Sequence, residues 1–538
     1  MLTTVLPVGS RARSLATSAL AGLVALVYVM VVLPGTPGGG RGTPMAILFN
    51  GLVIGCSVAV TALGLVLVYR SLRIINFMQV ALGAVGGRLF FEFVQFTPVP
   101  FPIVLILSVA AGAGVGVMFD LIFGRRFFNH PRIVLTVVTI AALPFLAFFL
   151  GRNVRSLPIF PRLGARSLPE QEGLINVRPF LPFAGWEFKI GDYNTKFGFP
   201  EVFNIELLVF AVLAIVCFLR FTRAGVAIRA LAENSERASL LGIPVFNLST
   251  IVWAISGALG TLSVIGIGSL TAPAAGVSSG AVIPALLAPI TAAVIARFTS
   301  IPTAVFTSLL IATVANAVRY SYPDDVGLIS LAYFVLVTLT LLVQRRRMGR
   351  SEEGTGVAWA AIREQRGIPK ELAKLTTVRT TRWALISAAG VFLLIYPVIV
   401  PARYQELGAT VLIQAIVGVS LVVLTGWAGQ ISLGQFAFAA VGAVVAGSLT
   451  ARVGFPFWFA VPIAAAAAGL FAAIIGLPAL RLKGLFLGVT TLGLAVATAA
   501  VLFDKKYFGW LLPETIDRPT LFFLNFDQDR PMYYLALV

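Results

Sequence analysis

Charged residues, histidine and cysteine are all scarce in this 538-residue sequence. Only 12% of its residues are charged, against about 25% in soluble domains, which argues against a water-soluble globular protein. Cys56 and Cys217 both lie in apolar segments, so no disulfide framework is expected. The single histidine, His130, lies in a short basic loop, and we expect no metal site. The sequence contains no G-x-x-x-x-G-K-[S/T] loop, so it has no obvious means of binding ATP and is not expected to be an enzyme.

The sequence has instead many long apolar segments, and 58% of its residues are hydrophobic. A helix needs about 20 apolar residues to cross the hydrocarbon of a bilayer, where every backbone polar group must be bonded internally. The sequence therefore predicts an all-α polytopic membrane protein. We predict membrane spans at 14–34, 45–69, 76–95, 103–124, 133–151, 204–221, 248–270, 282–298, 302–319, 327–344, 383–402, 409–427, 432–451, 456–477 and 485–503.

The net charge of +18 does not indicate a nucleic-acid partner, because the basic residues lie in short loops between spans. If the N-terminus is cytoplasmic, Arg70, Arg73 and the loops 222–247 and 345–382 all fall on the cytoplasmic side. The short outer loops then carry almost no positive charge, as the positive-inside rule requires. We therefore predict a multi-pass protein of a bacterial cytoplasmic membrane, in contact with lipid and with its N-terminus inside.

Four regions are predicted along the chain. Residues 1–44 would form an extra N-terminal transmembrane helix, 45–344 a first helical domain, and 383–538 a second. The linker 345–382 contains ten basic residues against four acidic ones and marks the domain boundary. One long outer segment, 152–203, would cap a pathway, dock a partner or simply form a surface excursion.

A duplicated motif connects the two predicted domains. Residues 75–86 read INFMQVALGAVG and residues 431–442 read ISLGQFAFAAVG, so that Gln435 follows Gln79 by 356 positions (435 − 79). Two tandem related helical bundles commonly enclose a transport pathway. The predicted pathway residues are the polar ones at or near the motif: Asn76, Gln79, Thr139, Ser432, Gln435, Thr490 and Thr491. The alternative is that these side chains join helices by hydrogen bonds.

The cytoplasmic loop 222–247 is the most polar patterned segment between spans. Glu233 and Arg237 are four residues apart, a spacing that favours an ion pair on a helix. Asn234 can cap a helix start, and Gly242 can end one. We predict two short helices with an elbow near Asn234, which either receive force from a cytoplasmic partner or lie at the lipid interface.

Several of these segments resemble a known family. Residues 230–234 (ALAEN) and 238–243 (ASLLGI) resemble the coupling loop of ABC importer permeases, most closely the branched-chain amino acid (Liv-type) family. Residues 50–52 and 76–77 resemble that family's first permease, whereas 426–435 (GWAGQISLGQ) and 480–493 (LRLKGLFLGVTTLG) resemble its second. The resemblance covers roughly 45–345 and 383–500. One departure is that family members often carry His where this chain has Gln79 and Gln435.

The resemblance implies a fusion of two permeases, with the first complete and the second apparently truncated. Thr139 precedes Gly225 by 86 residues (225 − 139), and the same spacing after Thr491 would place a second coupling loop beyond Val538. The implied substrate is an amino acid, with Leu, Ile or Val favoured. The implied partners are two ABC ATPase subunits, which bind the ATP, and an extracytoplasmic solute-binding protein. The implied coupling-loop residues are Gly225, Arg229, Glu233, Asn234, Glu236, Arg237 and Gly242.

Two rival classes of membrane protein are a non-transporting scaffold, which needs no duplicated pathway motif, and an ion-coupled carrier or channel. A carrier usually places ionisable residues within its spans. Here Glu92 lies near the outer end of its helix and Asp120 near the inner end of its own, positions that predict an interfacial setting for both. An almost uncharged interior favours an external ATP-driven motor over ion coupling.

Overall fold

The computed structural model of this chain describes residues 43–128, 130, 132–151, 188–189, 196–233, 238, 240–271, 282–323, 325–352, 375–430, 432–479, 482, 485–516, 518, 520–521, 524–525 and 528–537. The predicted span 14–34, Asn234, Glu236, Arg237 and most of 152–203 and of the basic linker lie outside these residues. The chain divides into two compact units, Met1–Thr340 and Leu341–Val538.

The first unit is built from helices, many of which begin at a proline or directly after one, where the missing N–H costs nothing. They are α1 (Met45–Leu72), α2 (Gln79–Phe96), α3 (Phe101–Phe119, continued by a π-helical turn at Asp120–Gly124), α4 (Arg125–Phe127), α5 (Arg132–Gly151), α6 (Phe199–Phe221), α7 (Arg223–Glu233), α8 (Val245–Leu270), α9 (Val282–Ile295), α10 (Ile301–Ser321) and α11 (Val326–Glu352). Strands β1 (Phe188–Lys189) and β2 (Lys196–Phe197) form a short antiparallel pair before α6.

Helices α1 and α8 form the centre of the first unit. The most apolar stretch of α1 is 89% buried and that of α8 is 72% buried, whereas the most apolar stretch of Phe101–Phe127 is 28% buried. Helix α1 packs against α10, α8, α6 and α9, and α8 packs against α2 and α3 as well. The remaining helices present broad apolar faces outward, as helices solvated by lipid do.

Small residues allow these helices to approach closely. A Cβ added at Gly112 would overlap Thr261, and one added at Gly116 would overlap the Trp253 carbonyl oxygen. Gly114, on the opposite face of α3, has no neighbouring atom within 4 Å of such a Cβ. Gly112 and Gly116 therefore form a helix-packing motif on one face of α3.

The second unit contains a similar order of elements. They are α12 (Thr376–Ile399), α13 (Ala402–Val422, continued by a π-helical turn at Val423–Trp427), α14 (Gln435–Ala451), α15 (Phe457–Ala479), α16 (Leu485–Leu502), α17 (Lys505–Phe508), β3 (Thr520–Leu521), β4 (Leu524–Asn525) and α18 (Asp529–Leu537). Helix α14 packs against α15 and α16, and α18 packs against α12 and α13. The Tyr533 hydroxyl donates to the Leu393 carbonyl oxygen (3.0 Å).

The predicted all-α membrane architecture is confirmed. Within the described ranges, eight helices are long and apolar enough to cross a membrane, and shorter apolar helices accompany them. Each predicted span from 45 onward coincides with a helix, although the ends differ. Helix α11 extends to Glu352 rather than 344, and α12 begins at Thr376 rather than 383. The differences arise because polar residues continue a helix beyond the apolar window.

Candidate functional site

The first copy of the duplicated motif forms a buried network of amides. Asn76 Nδ2 donates to Gln79 Oε1 (2.9 Å) and to Ser256 Oγ (3.2 Å). Gln79 Nε2 donates to the Ser256 carbonyl oxygen (2.9 Å), and Ser256 Oγ donates back to Gln79 Oε1 (2.5 Å). All three side chains are fully buried. Gly64 of α1 leaves the space that the Gln79 amide occupies. The network connects the start of α2 to the middle of α8.

The two copies of the motif share one local construction. In each, a long helix ends, a non-helical segment follows, and a threonine from a later helix accepts a hydrogen bond from the segment's backbone. Thr139 Oγ1 accepts from Phe77 N (3.2 Å), and Thr491 Oγ1 accepts from Leu433 N (2.8 Å). Asn76 Oδ1 also accepts a hydrogen bond from Met78 N within the first non-helical segment (3.2 Å).

Ser432 Oγ accepts from Gly434 N (3.2 Å), just as Asn76 accepts two residues ahead in the first copy. These contacts satisfy backbone groups where each helix is interrupted. The repeat is therefore structural as well as sequential.

The two copies differ at their glutamines. Gln79 is fully buried in its network, whereas Gln435 is half-buried and its side chain makes no hydrogen bond to any residue that the structure describes. Thr490 is buried and donates to the Leu487 carbonyl oxygen (2.8 Å), which is a bond within its own helix. Assignment of these residues to a pathway remains a prediction.

Replacing Gln79 with alanine is expected to destabilise the chain by roughly 2–4 kcal/mol, because it opens a buried void and removes one hydrogen bond from each of the buried Asn76 and Ser256 side chains. Gln435→Ala, the matched change in the second copy, should cost less than about 1.5 kcal/mol. Thermal unfolding midpoints of the purified variants, measured beside their uptake rates, provide the comparison. Equal midpoints for the two variants would contradict the structural role of Gln79.

A cavity of about 590 Å³ lies within the first unit, between α1, α8, α9 and α10. Its walls are mainly aliphatic, with polar side chains at both ends. The lining residues are Ile47, Asn50, Ile54, Val58, Thr61, Val80, Ser263, Val264, Ile267, Leu270, Thr271, Ala285, Pro289, Asn316, Arg319 and Tyr320. None of the residues predicted to line a pathway is in this set, although Val80 directly follows Gln79.

The inner end of the cavity is formed by two hydroxyl groups in the middle of their helices. Thr61 of α1 and Ser263 of α8 are hydrogen-bonded to each other, and Ser263 also donates to the Ser57 carbonyl oxygen (2.8 Å). At the other end lie Asn316 and Arg319 of α10. Sequence analysis did not identify these residues, because isolated hydroxyls and amides in apolar helices are common and only the helix packing brings these together.

Helix α7 carries the cytoplasmic loop residues Gly225, Arg229 and Glu233. Gly225, Ile228 and Leu231 are buried, whereas Arg229 and Glu233 are exposed. The Thr222 hydroxyl accepts from Gly225 N (2.9 Å) at the helix start. Gly242, which was predicted to end a helix within this loop, has a φ of +78°, and α8 begins three residues later.

A hydrogen bond from α1 holds helix α7 to the bundle, and an apolar surface lies beyond it. Arg73, which ends α1 in the left-handed region (φ 58°), donates through Nη2 to the Ala232 carbonyl oxygen (3.3 Å). Beyond α7, Leu240 and Leu241 are 86% and 80% exposed, and Val226 is 50% exposed. Leucine side chains exposed to this extent beside charged residues are typical of a surface that a partner or lipid covers.

Asp120 ties α3 to α8 at the same end of the unit. Its carboxylate is fully buried and accepts hydrogen bonds from Ser249 Oγ (2.7 Å) and Thr250 Oγ1 (2.6 Å), with Arg125 Nε at 3.8 Å. Asp120 is therefore shielded from lipid and water by its own protein, and its predicted interfacial depth in the bilayer stays a prediction, as does that of Glu92. Glu92 is also buried, because Arg88, one turn earlier on α2, pairs with it at 2.9 Å. Each charge is neutralised locally, which allows burial.

Comparison with known proteins places these features in a family. The family model described as branched-chain amino acid transport system / permease component matches residues 47–344 and 403–527. The high-affinity branched-chain amino acid transport system permease protein LivM of Escherichia coli (strain K12) is 31% identical over 135 residues, which are 25% of this chain and 32% of that protein. LivM of Salmonella typhimurium (strain LT2) is 30% identical over the same shares. The matched part thus spans about a third of these curated relatives.

Proposed function

Because the chain belongs to the branched-chain amino acid transport permease family, we propose that it is the membrane subunit of an ATP-driven ABC importer. In this proposal, solute passes through the helical bundles by alternating access, and separate ATPase subunits bind and hydrolyse the ATP. An extracytoplasmic solute-binding protein delivers the solute. The chain itself is a multi-pass membrane protein and a transport subunit rather than an enzyme.

The observation that carries the proposal is the agreement between the two family matches and the two compact units. Each unit contains the same interrupted helix with a threonine bonded to the backbone of the interruption. A transporter built from related halves can change the access of a pathway by moving one element against another. The non-helical segment in each unit could bend during such a movement without breaking helical hydrogen bonds.

The cytoplasmic surface supports docking of an ATPase. Helix α7 is fixed to the bundle by its buried face and by Arg73, so a push on its exposed face would reach α1 and α8. Leu240 and Leu241 supply apolar area for a partner, and Arg229 and Glu233 supply charges that orient it. We extend the same role to Asn234, Glu236, Arg237 and Gly242 from sequence alone.

The cavity suits a small aliphatic solute. Its volume of about 590 Å³ lies in the usual range of about 300–1,000 Å³ for ligand sites. Ile54, Val58, Val264 and Ile267 form apolar walls that would accept a leucine, isoleucine or valine side chain. We propose that the protein lies in a bacterial cytoplasmic membrane with its N-terminus inside, so that α7 faces the cytoplasm and Asn316 and Arg319 face outward.

Leu240→Glu and Leu241→Glu together should reduce ATP-dependent uptake of leucine at least tenfold while leaving the amount of chain in the membrane unchanged. Both side chains are largely exposed, so the change costs little folding energy, but it places two charges in the docking surface. The measurement is uptake by vesicles that contain the full chain, its ATPase subunits and the binding protein, together with the ATPase recovered on purification. Glu233→Ala with Arg237→Ala tests the charged part of the surface.

Leu375→Glu is the matched control, since Leu375 is 51% exposed at the start of α12 and should tolerate the charge. Unchanged ATPase recovery and uptake in the Leu240/Leu241 variant would indicate that lipid, not a partner, covers this surface. Accumulation of leucine by vesicles without any nucleotide would contradict the importer itself and favour an ion-coupled carrier.

A further inference from the structure

Arg319 is the one charged residue among the side chains that line the cavity. It lies in the last turn of α10, is exposed, and makes no hydrogen bond or ion pair with any other residue that the structure describes. The described lining residues include no aspartate or glutamate. Among them, Arg319 thus supplies a positive charge at one end of the cavity with no negative side chain to balance it.

The position of this charge is unusual for the predicted orientation. Positive residues are concentrated on the cytoplasmic side of the sequence, and the neighbouring outer loops at 96–102 and 320–326 contain none. An arginine at the outer end of an apolar helix runs against that bias.

Two amides extend the polar end of the cavity. Asn316 Nδ2 donates to the Ile47 carbonyl oxygen (2.9 Å) and contacts Asn50 Oδ1 (3.5 Å), which fixes both side chains at the junction of α1 and α10. The Asn50 amide nitrogen has no acceptor among the described residues and lines the cavity beside Arg319. A guanidinium and an amide N–H are the donors that carboxylate oxygens prefer.

Below this end the walls are aliphatic. Ile54 and Val58 of α1 face the same cavity as Val264 and Ile267 of α8. A solute with a carboxylate at one end and a short branched chain at the other would place its charge against Arg319 and its hydrocarbon against these residues. A neutral amide or urea would offer the guanidinium no counter-charge.

We propose that this cavity is a solute-binding site within the permease and that Arg319, assisted by Asn50, selects solutes with a carboxylate. The proposal rests on the proposed transport function and narrows the solute to short aliphatic carboxylates, amino acids included. Selection would then occur in the membrane subunit as well as in the external binding protein.

The test measures protection of a cysteine in the cavity of the purified full-length chain in nanodiscs. Thr271→Cys places the reporter in the cavity lining, and Cys217→Ser removes the exposed native cysteine, while Cys56 is buried. The labelling rate with a membrane-impermeant maleimide is compared with and without L-leucine, isobutyrate or isobutyramide. We expect L-leucine and isobutyrate to slow labelling and isobutyramide, the uncharged isostere of isobutyrate, to have no effect.

Adding Arg319→Gln should raise the protecting concentration of isobutyrate about tenfold or more, because a charge-assisted hydrogen bond is lost. Arg403→Gln, which removes an exposed arginine of the second unit, should leave protection unchanged. Equal protection by isobutyramide, protection that survives Arg319→Gln, or a reporter that never labels would each overturn the proposal.

The labelling assay contains no nucleotide and no ATPase subunit, so its outcome is separate from that of the importer proposal. Carboxylate-specific protection together with nucleotide-independent uptake would support the binding site and contradict the importer proposal. ATP-dependent uptake without protection would support the importer proposal and contradict the binding site.

Discussion

Valine in place of Gly83 should prevent stable folding of the first unit, with a loss of at least about 3 kcal/mol and little folded chain in the membrane. A Cβ at this position would overlap the carbonyl group of Gly260 and crowd the Thr261 nitrogen. These are backbone atoms of α8, so no side-chain rotation can relieve the overlap. Helices α2 and α8 would have to separate, and the Gln79–Ser256 hydrogen bonds would lengthen with them.

Gly114→Val is the matched control for Gly83→Val. Both glycines lie within helices, but a Cβ at Gly114 meets no atom within 4 Å, so valine there should be tolerated. Fluorescence-detected size-exclusion profiles and thermal midpoints of the two variants in detergent give the comparison. Equal yields and midpoints would show that the close approach of α2 and α8 does not limit stability.

Asp120→Ala should also have a large effect, about 3 kcal/mol of stability and loss of most transport activity. The substitution removes the acceptor of two charge-assisted hydrogen bonds from Ser249 and Thr250, each worth about 1.5–3 kcal/mol. Arg125 is partly exposed and remains solvated, so its loss of a partner adds little. Because these hydrogen bonds lie beside the start of α8, we expect uptake per folded molecule to fall as well.

Asp120→Asn keeps one carbonyl acceptor and should fall between the wild type and Asp120→Ala in thermal midpoint. Asp504→Ala is the control, since Asp504 accepts one hydrogen bond from Lys506 N (2.9 Å) at an exposed helix start. Its loss should cost about 1 kcal/mol or less. A midpoint for Asp120→Ala as high as that for Asp504→Ala would argue against a buried charged joint between α3 and α8.

Sequence periodicity and composition predicted the helices well but not the partners of their polar side chains. Asn76 and Gln79 were identified as polar residues at a repeated motif, and the structure places them in a buried hydrogen-bond network at the start of α2. Their partner Ser256 lies 180 residues from Asn76, and nothing in the local sequence marks it. For the same reason the sequence did not show that Ser249, 129 residues later, is a hydrogen-bond partner of Asp120.

The family resemblance located the loop 222–247, because residues 230–234 and 238–243 match a short local sequence pattern. The exposed positions of Leu240 and Leu241 could not be read in this way, since leucine in a membrane protein normally predicts burial in protein or lipid. Only the packing of α7 against the bundle distinguishes its buried residues, Gly225, Ile228 and Leu231, from its exposed surface.

By itself, the sequence determined that this chain folds into membrane-spanning helices arranged in two related halves. Long apolar runs leave the backbone no other way to satisfy its hydrogen bonds in lipid, and the duplicated motif is visible as letters. Tertiary structure alone decided where a solute could bind. The cavity exists because α1, α8, α9 and α10 pack side by side, bringing Thr61 next to Ser263 across 202 residues and placing Arg319 above them. Contacts between segments so distant in the chain depend on how helix surfaces fit together, which no local pattern encodes.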